Sequence, residues 1–228
     1  MEIWNGLVKA VQLIFTLDPE VLRISWLSIR ISISSVLIAT VICLPLASLI
    51  HFNNFRGKRA IISLIQTFYS VPTVTVGLLV FILFSNAGPL GFFGLLFTPT
   101  VMIIGQVILV IPILLGLGIS ALSGVDRAIT DTAHSLGANR WQTAIAIIRE
   151  ARFAVMAAVA LAFGRAISEV GLAIMVGGNI RGRTRVLTTA ISLGTSMGEI
   201  ELSLALGIIL LGIALIINII MNRIQQKR

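Results

Sequence analysis

Charge is scarce in this chain, and that scarcity sets the first boundary. Charged residues make up 11% of the 228, where an average soluble domain carries about 25%, so no sizeable aqueous domain fits between the apolar runs. Cysteine occurs once, at Cys43 inside an apolar run, which excludes an internal disulfide and a cysteine-rich metal centre. The two histidines, His51 and His134, have no carboxylate or cysteine at ligand spacing. They read as solvated surface residues, and no metal is expected. No glycine-rich loop ends in Gly-Lys-Ser or Gly-Lys-Thr, which excludes ATP hydrolysis by the chain itself. No nucleophile stands with a base in a pattern that suggests an enzyme. Glu2, Asp18 and the want of a small-residue cleavage pattern argue against a cleavable signal peptide over residues 1–20.

What is abundant is apolar surface: 57% hydrophobic residues and a mean hydropathy of +1.04. The expected fold class is an all-α integral membrane protein in a lipid bilayer, since only structures that satisfy every backbone group internally cross hydrocarbon. In the N-terminal segment 1–23, residues 3–17 are apolar but short, interrupted by Lys9 and stopped by Asp18-Pro19. A span needs roughly 20 residues, so this segment predicts an interfacial helix, with a short sixth span as the alternative. Residues 24–228 hold five spans, over about 24–52, 61–84, 96–122, 153–177 and 202–222. Pro72 falls within the second, where Ser70, Thr73 and Thr75 can re-satisfy freed backbone groups.

A formal charge of +8 would suggest nucleic acid in a soluble protein. Here the positive charges cluster at span ends, where they set topology instead. Ten basic residues lie on the side of the C-terminus: Arg56, Lys58, Arg59, Arg127, Arg140, Arg149, Arg152, Arg223, Lys227 and Arg228. Six lie opposite: Lys9, Arg23, Arg30, Arg181, Arg183 and Arg185. The count places the N-terminus outside and the C-terminus inside a plasma (inner) membrane.

The connection over 123–152 is polar, helix-prone and too long for a tight turn. Ile129, Ala133 and Leu136 form an apolar stripe on a short helix, Gly137 supplies its end, and Asn139 can cap a second helix carrying Trp141, Ile145 and Ile148. Such a corner, held outside a membrane, offers a grip to another protein; read blandly, it is an ordinary amphipathic loop. The pattern resembles the EAA loop of ATP-binding-cassette importer permeases. Asp131, Thr132, Ala133, Gly137 and Ile147 fall on that motif, with Asp for Glu and Thr for the first Ala. The usual Leu-Pro is replaced by Arg149-Glu150, which leaves the helix free to continue into the next span.

Arg165 and Glu169 lie one helical turn apart in the fourth span. Ionisable groups at that depth cost a few kcal/mol each and face a protein interior or a water path. The pair either neutralises itself to pack the bundle or lines a translocation path. In the same span Ala154, Ala158, Ala162 and Ala166 form a small-residue ridge for close helix approach, here expected to face a second copy. Arg181, Arg183 and Arg185 in the last loop oppose the positive-inside rule. They read as a solvated loop, an anion funnel or a docking patch.

The stretch Ala162–Gly171 resembles the molybdate, sulfate and tungstate branch of those permeases. The likeness continues through Gly177-Gly178-Asn179, Gly182, Thr184 and Leu187-Thr188-Thr189-Ala190, and takes in Val71-Pro72 with Gly77, and Gly105-Gln106 with Pro112. It implies a type I importer permease core that moves an oxyanion, tungstate first and molybdate or sulfate next. It also implies a second copy of the chain, a cytoplasmic ATPase dimer that carries the ATP and Mg, and an extracytoplasmic oxyanion-binding protein. A secondary transporter coupled through Arg165 and Glu169 is the rival reading.

Overall fold

The computed structural model describes residues 2–16 and 18–226; Lys227 and Arg228, counted above in the inner charge, lie outside them. Every regular element among these residues is helical: α1 (Glu2–Phe15), α2 (Pro19–Phe52), α3 (Lys58–Thr67), α4 (Thr73–Phe84), α5 (Pro99–Ser123), α6 (Arg127–Ser135), α7 (Arg140–Ile167), α8 (Gly171–Gly177), α9 (Leu187–Ser196) and α10 (Ile200–Gln226). Three of them, α2, α5 and α10, are long and apolar enough to cross a bilayer unaided. The pairs α3–α4 and α7–α8 qualify as bent spans, which brings the total to five.

α2 starts where Asp18 accepts hydrogen bonds from the Glu20 and Val21 amides, with Pro19 in the first turn, a position where the missing N–H removes nothing. It runs for 34 residues, and neither Pro45 here nor Pro112 in α5 ends its helix. Lys58 closes the far end of α2 by donating from Nζ to the His51 and Asn53 carbonyls, a cation at a helix C-terminus. His51 is not simply solvated: its Nδ1 lies 3.2 Å from Ser123 Oγ and its ring sits edge-on to Phe52. His134 is exposed on α6, as expected.

Lipid tails give helices no hydrophobic reason to associate, so close packing of small side chains must hold the bundle. The seam of α2, α5 and α7 fits that rule. Ala39, Cys43, Ala162 and Ala166 are each wholly buried there, beside Val110 and Leu114. The outer surfaces of α2 and α10 stay apolar and exposed, through Leu37, Val41, Leu211 and Leu215, as lipid-facing surfaces are. The ridge on α7 therefore has a different role from the one expected. Ala158, Ala162 and Ala166 meet helices of their own chain, and only Ala154 is exposed. The free face of α7 carries Ala157, Leu161, Gly164, Arg165 and Ser168 instead.

Both bent spans depart from the continuous helices read in the sequence. At Pro72 the chain turns by 95°. Val71 and Pro72 are both extended, with ψ of 128° and 127°: the proline ring disfavours helical geometry in the residue before it and Pro72 has no N–H of its own to give, and here, unlike at Pro45 and Pro112, the helix breaks. Ser70, Thr73 and Thr75 do not bridge the gap; a new helix begins at Thr73. At Ser168–Val170 the turn is 58°. Here no proline acts, and side chains take over the ladder: Ser168 donates to the Gly164 carbonyl, Gln106 Nε2 to the Ala166 carbonyl, and Glu169 accepts from Leu172 N–H. The two breaks lie side by side. Gly77 permits this, since a Cβ there would stand 3.0 Å from the Leu172 backbone.

α1 is about 21 Å long at 1.5 Å per residue, too short for a hydrocarbon core of about 30 Å. It packs along the first half of α10, with Asn5 donating to Glu201 and Leu13 joining a cluster with Leu206 and Ile209.

Candidate functional site

The candidate site residues fall into three groups, placed at three different parts of the bundle. The first is the corner between α6 and α7. Asp126 caps α6 by accepting from Ala128 N–H. The helix ends in a Schellman arrangement: Gly137 N–H bonds to the His134 carbonyl, Ala138 N–H bonds to the Ala133 carbonyl, and Gly137 stands at φ +76°. Two residues on, Asn139 and Gln142 exchange the reciprocal bonds of a capping box at the start of α7. α7 then runs unbroken through Arg149-Glu150. The corner holds Leu136 and Trp141 at 82% and 80% exposure, with Ile145 and Ile148 also exposed. Asp131 and Thr132 are exposed beside them, while Ala133 is half-buried. Ile147 differs from these. It is buried with Leu122 and Ala151, so it anchors the corner to the bundle and leaves the exposed surface to its neighbours.

The second group lies at the paired breaks. Arg165 Nη1 donates to Glu169 Oε2 at 3.1 Å, with side-chain exposures of 37% and 2%. Glu169 Oε1 accepts from Leu172 N–H at 2.9 Å, and its carbonyl accepts from Thr188 Oγ1 at 2.8 Å. Glu169 is thus wired to α8 through its carboxylate and to α9 through its backbone carbonyl, as well as to its arginine. α4 begins against this point: a Cβ at Gly171 would lie 2.8 Å from Val74 Cγ2, 3.2 Å from Thr73 Oγ1 and 3.6 Å from Glu169 Oε1. Gln106, a polar residue within a span, signals an interhelical hydrogen bond, but neither it nor Thr188 reveals its partner in the sequence, because those partners lie 60 and 19 residues away.

The third group is the arginine loop between α8 and α9, a chain of tight turns through Gly178, Asn179 and Gly182 at positive φ. Thr184 is fully buried; it donates to the Gly177 carbonyl and accepts from Ile180 N–H, which fixes the turn. The three arginines are not equivalent. Arg181 forks onto both carboxylate oxygens of Glu20, with Nε to Oε1 at 2.8 Å. This hydrogen bond raises the pKa of Arg181 above its ordinary value. Arg185 lies 3.6 Å from Glu20 Oε1 and donates to Asn179 Oδ1. Arg183 is exposed and makes no ion pair among the described residues. Sequence reading missed Glu20 because it sits 161 residues before Arg181.

Residues 26–228 match the family model described as "Binding-protein-dependent transport system inner membrane component". The chain is similar to the tungstate uptake system permease protein TupB of Peptoclostridium acidaminophilum, with 42% identity over 98% of each chain. It is also 38% identical to the protein of the same name from Campylobacter jejuni, over 98% of this chain and 94% of that one. Among solved structures, it is similar in fold to a chain of a bacterial alginate ABC transporter in complex with its pentasaccharide-bound periplasmic protein. That match has a TM-score of 0.68 and 21% identity, and covers 90% of this chain and 78% of the other.

Proposed function

The chain belongs to the family of binding-protein-dependent transport system inner membrane components, and from that premise we propose that it is the permease subunit of an importer for an oxyanion, tungstate foremost and molybdate or sulfate next. The observation that carries the substrate class is the near full-length likeness to two tungstate permeases.

In this reading two copies enclose the path, and an ATPase dimer that binds ATP and Mg seats on the α6–α7 corner at the cytoplasmic face. Asp131, Thr132, Ala133, Leu136, Gly137 and Trp141 supply that seat, with Ile147 bracing it from within. An exposed Leu–Trp surface stiffened by two reciprocal caps suits transmission of force. A secondary transporter has no ATPase subunit for such a corner to seat. With the corner inside, α2 and α10 both enter from the outer face, which puts the N-terminus out and the C-terminus in. Arg181, Arg183 and Arg185 then meet the extracytoplasmic oxyanion-binding protein or its released anion. Arg165 lines the path at mid-depth with Glu169 buried behind it as its gate partner, and positive lining there lowers the barrier to an anion.

The test is reconstitution of the chain with its ATPase and binding protein in proteoliposomes. ATP-dependent uptake of labelled tungstate, competed by molybdate and less well by sulfate, is the expected result. Uptake of none of the three, with an active ATPase, overturns the assignment.

A further inference from the structure

The Arg165–Glu169 pair is lopsided, and its asymmetry carries a mechanism. Glu169 is nearly inaccessible and held by contacts that do not depend on Arg165: the Leu172 amide on one carboxylate oxygen and the Thr188 hydroxyl on its carbonyl. Arg165 uses one nitrogen. Its Nη1 binds Glu169, while Nε and Nη2 have no partner among the described residues. The arginine lies on the free face of α7, flanked by exposed Ser168 and by Gly164, where an added Cβ would meet nothing within 4 Å. Packing alone does not require this arrangement. The single contact to Glu169 leaves the Nε–Nη2 edge of Arg165 without a partner among the described residues.

A guanidinium offers five N–H donors in a planar fork that matches two oxygens of a tetrahedral oxyanion. One edge of Arg165 remains open for such a ligand while the other stays on Glu169. An unopposed arginine at that depth would hold a doubly charged anion too firmly for passage, because low dielectric strengthens the attraction. A fixed carboxylate on the same guanidinium repels the anion and shortens its stay. Resting on the oxyanion-permease reading, we propose that Arg165 contacts the transported oxyanion at the bend of α7 and that Glu169 is a built-in counter-anion which weakens that contact so the substrate leaves. Glu169 touches no substrate in this scheme; it acts through Arg165.

The test uses the assembled complex with its ATPase, carrying Glu169→Gln, Arg165→Gln or both. Tungstate binding is measured on the detergent-solubilised complex without the binding protein, and uptake in proteoliposomes with it. Glu169→Gln should bind tungstate about tenfold or more tightly, from the removed repulsion, while its maximal uptake rate falls. Arg165→Gln should bind and transport poorly, and the double variant should resemble Arg165→Gln. Parental uptake by the double variant overturns the proposal in favour of packing, as does unchanged tungstate affinity in an assembled Glu169→Gln complex. Should Glu169→Gln fail to assemble, Arg165→Lys decides. A lysine still neutralises Glu169 but cannot present two parallel donors, so the proposal expects a several-fold loss of uptake, and parental uptake refutes it. A parental complex that imports no oxyanion strikes the functional assignment instead, whatever the variants do.

Discussion

Replacing Gly137 by valine isolates the α6–α7 corner from everything else in the chain. Gly137 stands at φ +76°, and an added Cβ would meet no atom within 4 Å. The penalty is therefore conformational, with no steric clash in it. Holding a residue with a Cβ in the left-handed region costs about 1–2 kcal/mol, and a β-branched residue is at the upper end. α6 has only 9 residues and none is buried, so it has little packing with which to resist. The chain relieves the strain by giving up the Schellman bonds, which frees α6 and its exposed Leu136 from their fixed placement relative to α7 and Trp141. The spans keep their own hydrogen bonds, and membrane level and assembly of two copies should stay at parental values. Retention of the ATPase subunit on co-purification should fall about five- to thirtyfold, the equilibrium equivalent of that strain, and uptake should fall with it. Gly137→Asn is the control, because asparagine tolerates positive φ and should recover most of the retention. A valine variant that inserts, keeps its ATPase and transports at the parental rate refutes the reasoning, and with it the docking role of this corner.

The free face of α7 should border the second copy across the path that Arg165 enters, so that its residues lie near their counterparts. Single cysteines at Ala157, Leu161, Gly164 or Ser168, in a Cys43→Ala background, should crosslink to the other copy, while cysteines at Ala158 and Ala162 should not; the reverse pattern would restore the alanine ridge as the dimer face. Ala162→Leu forces a larger side chain into the wholly buried α2–α5–α7 seam, and overpacking of about 1–3 kcal/mol should lower the melting temperature of the solubilised protein. An unchanged melting temperature contradicts the seam. At the α8–α9 loop, Arg183→Gln should remove most of the uptake that depends on low salt, since Arg183 alone of the three has no carboxylate among the described residues and exposed charges act over roughly 10 Å at 0.1 M salt. Salt dependence equal to the parent's would return that arginine to solvent.

The two halves of this molecule's logic were legible to different degrees. The spans could be read because the bilayer imposes one length and one chemistry on every segment, and the residues of a segment satisfy that demand by themselves. The α6–α7 corner could be read for a similar reason. Gly137, Asn139 and Gln142 act on amides within a few residues of themselves, so stripe, stop and cap are all written in adjacent letters. Proline at 72 announced a disturbance, but its size, a 95° turn, depended on α8 lying where α4 could begin against it. The break at Ser168–Val170 carried no local sign at all; Gln106 and Thr188, on other helices, hold it open. The alanine ridge of α7 was visible as a surface for close approach, yet periodicity cannot name the helix that approaches, and α2 and α5 arrived before any second copy. Ile147 lay on a recognisable motif and proved to face inward, because burial is set by what stands opposite. Glu20 shows the limit most plainly. Its charge was in view from the start, but which of the arginines it would hold, 161 residues away, was decided by where α2 and the α8–α9 loop come together in space.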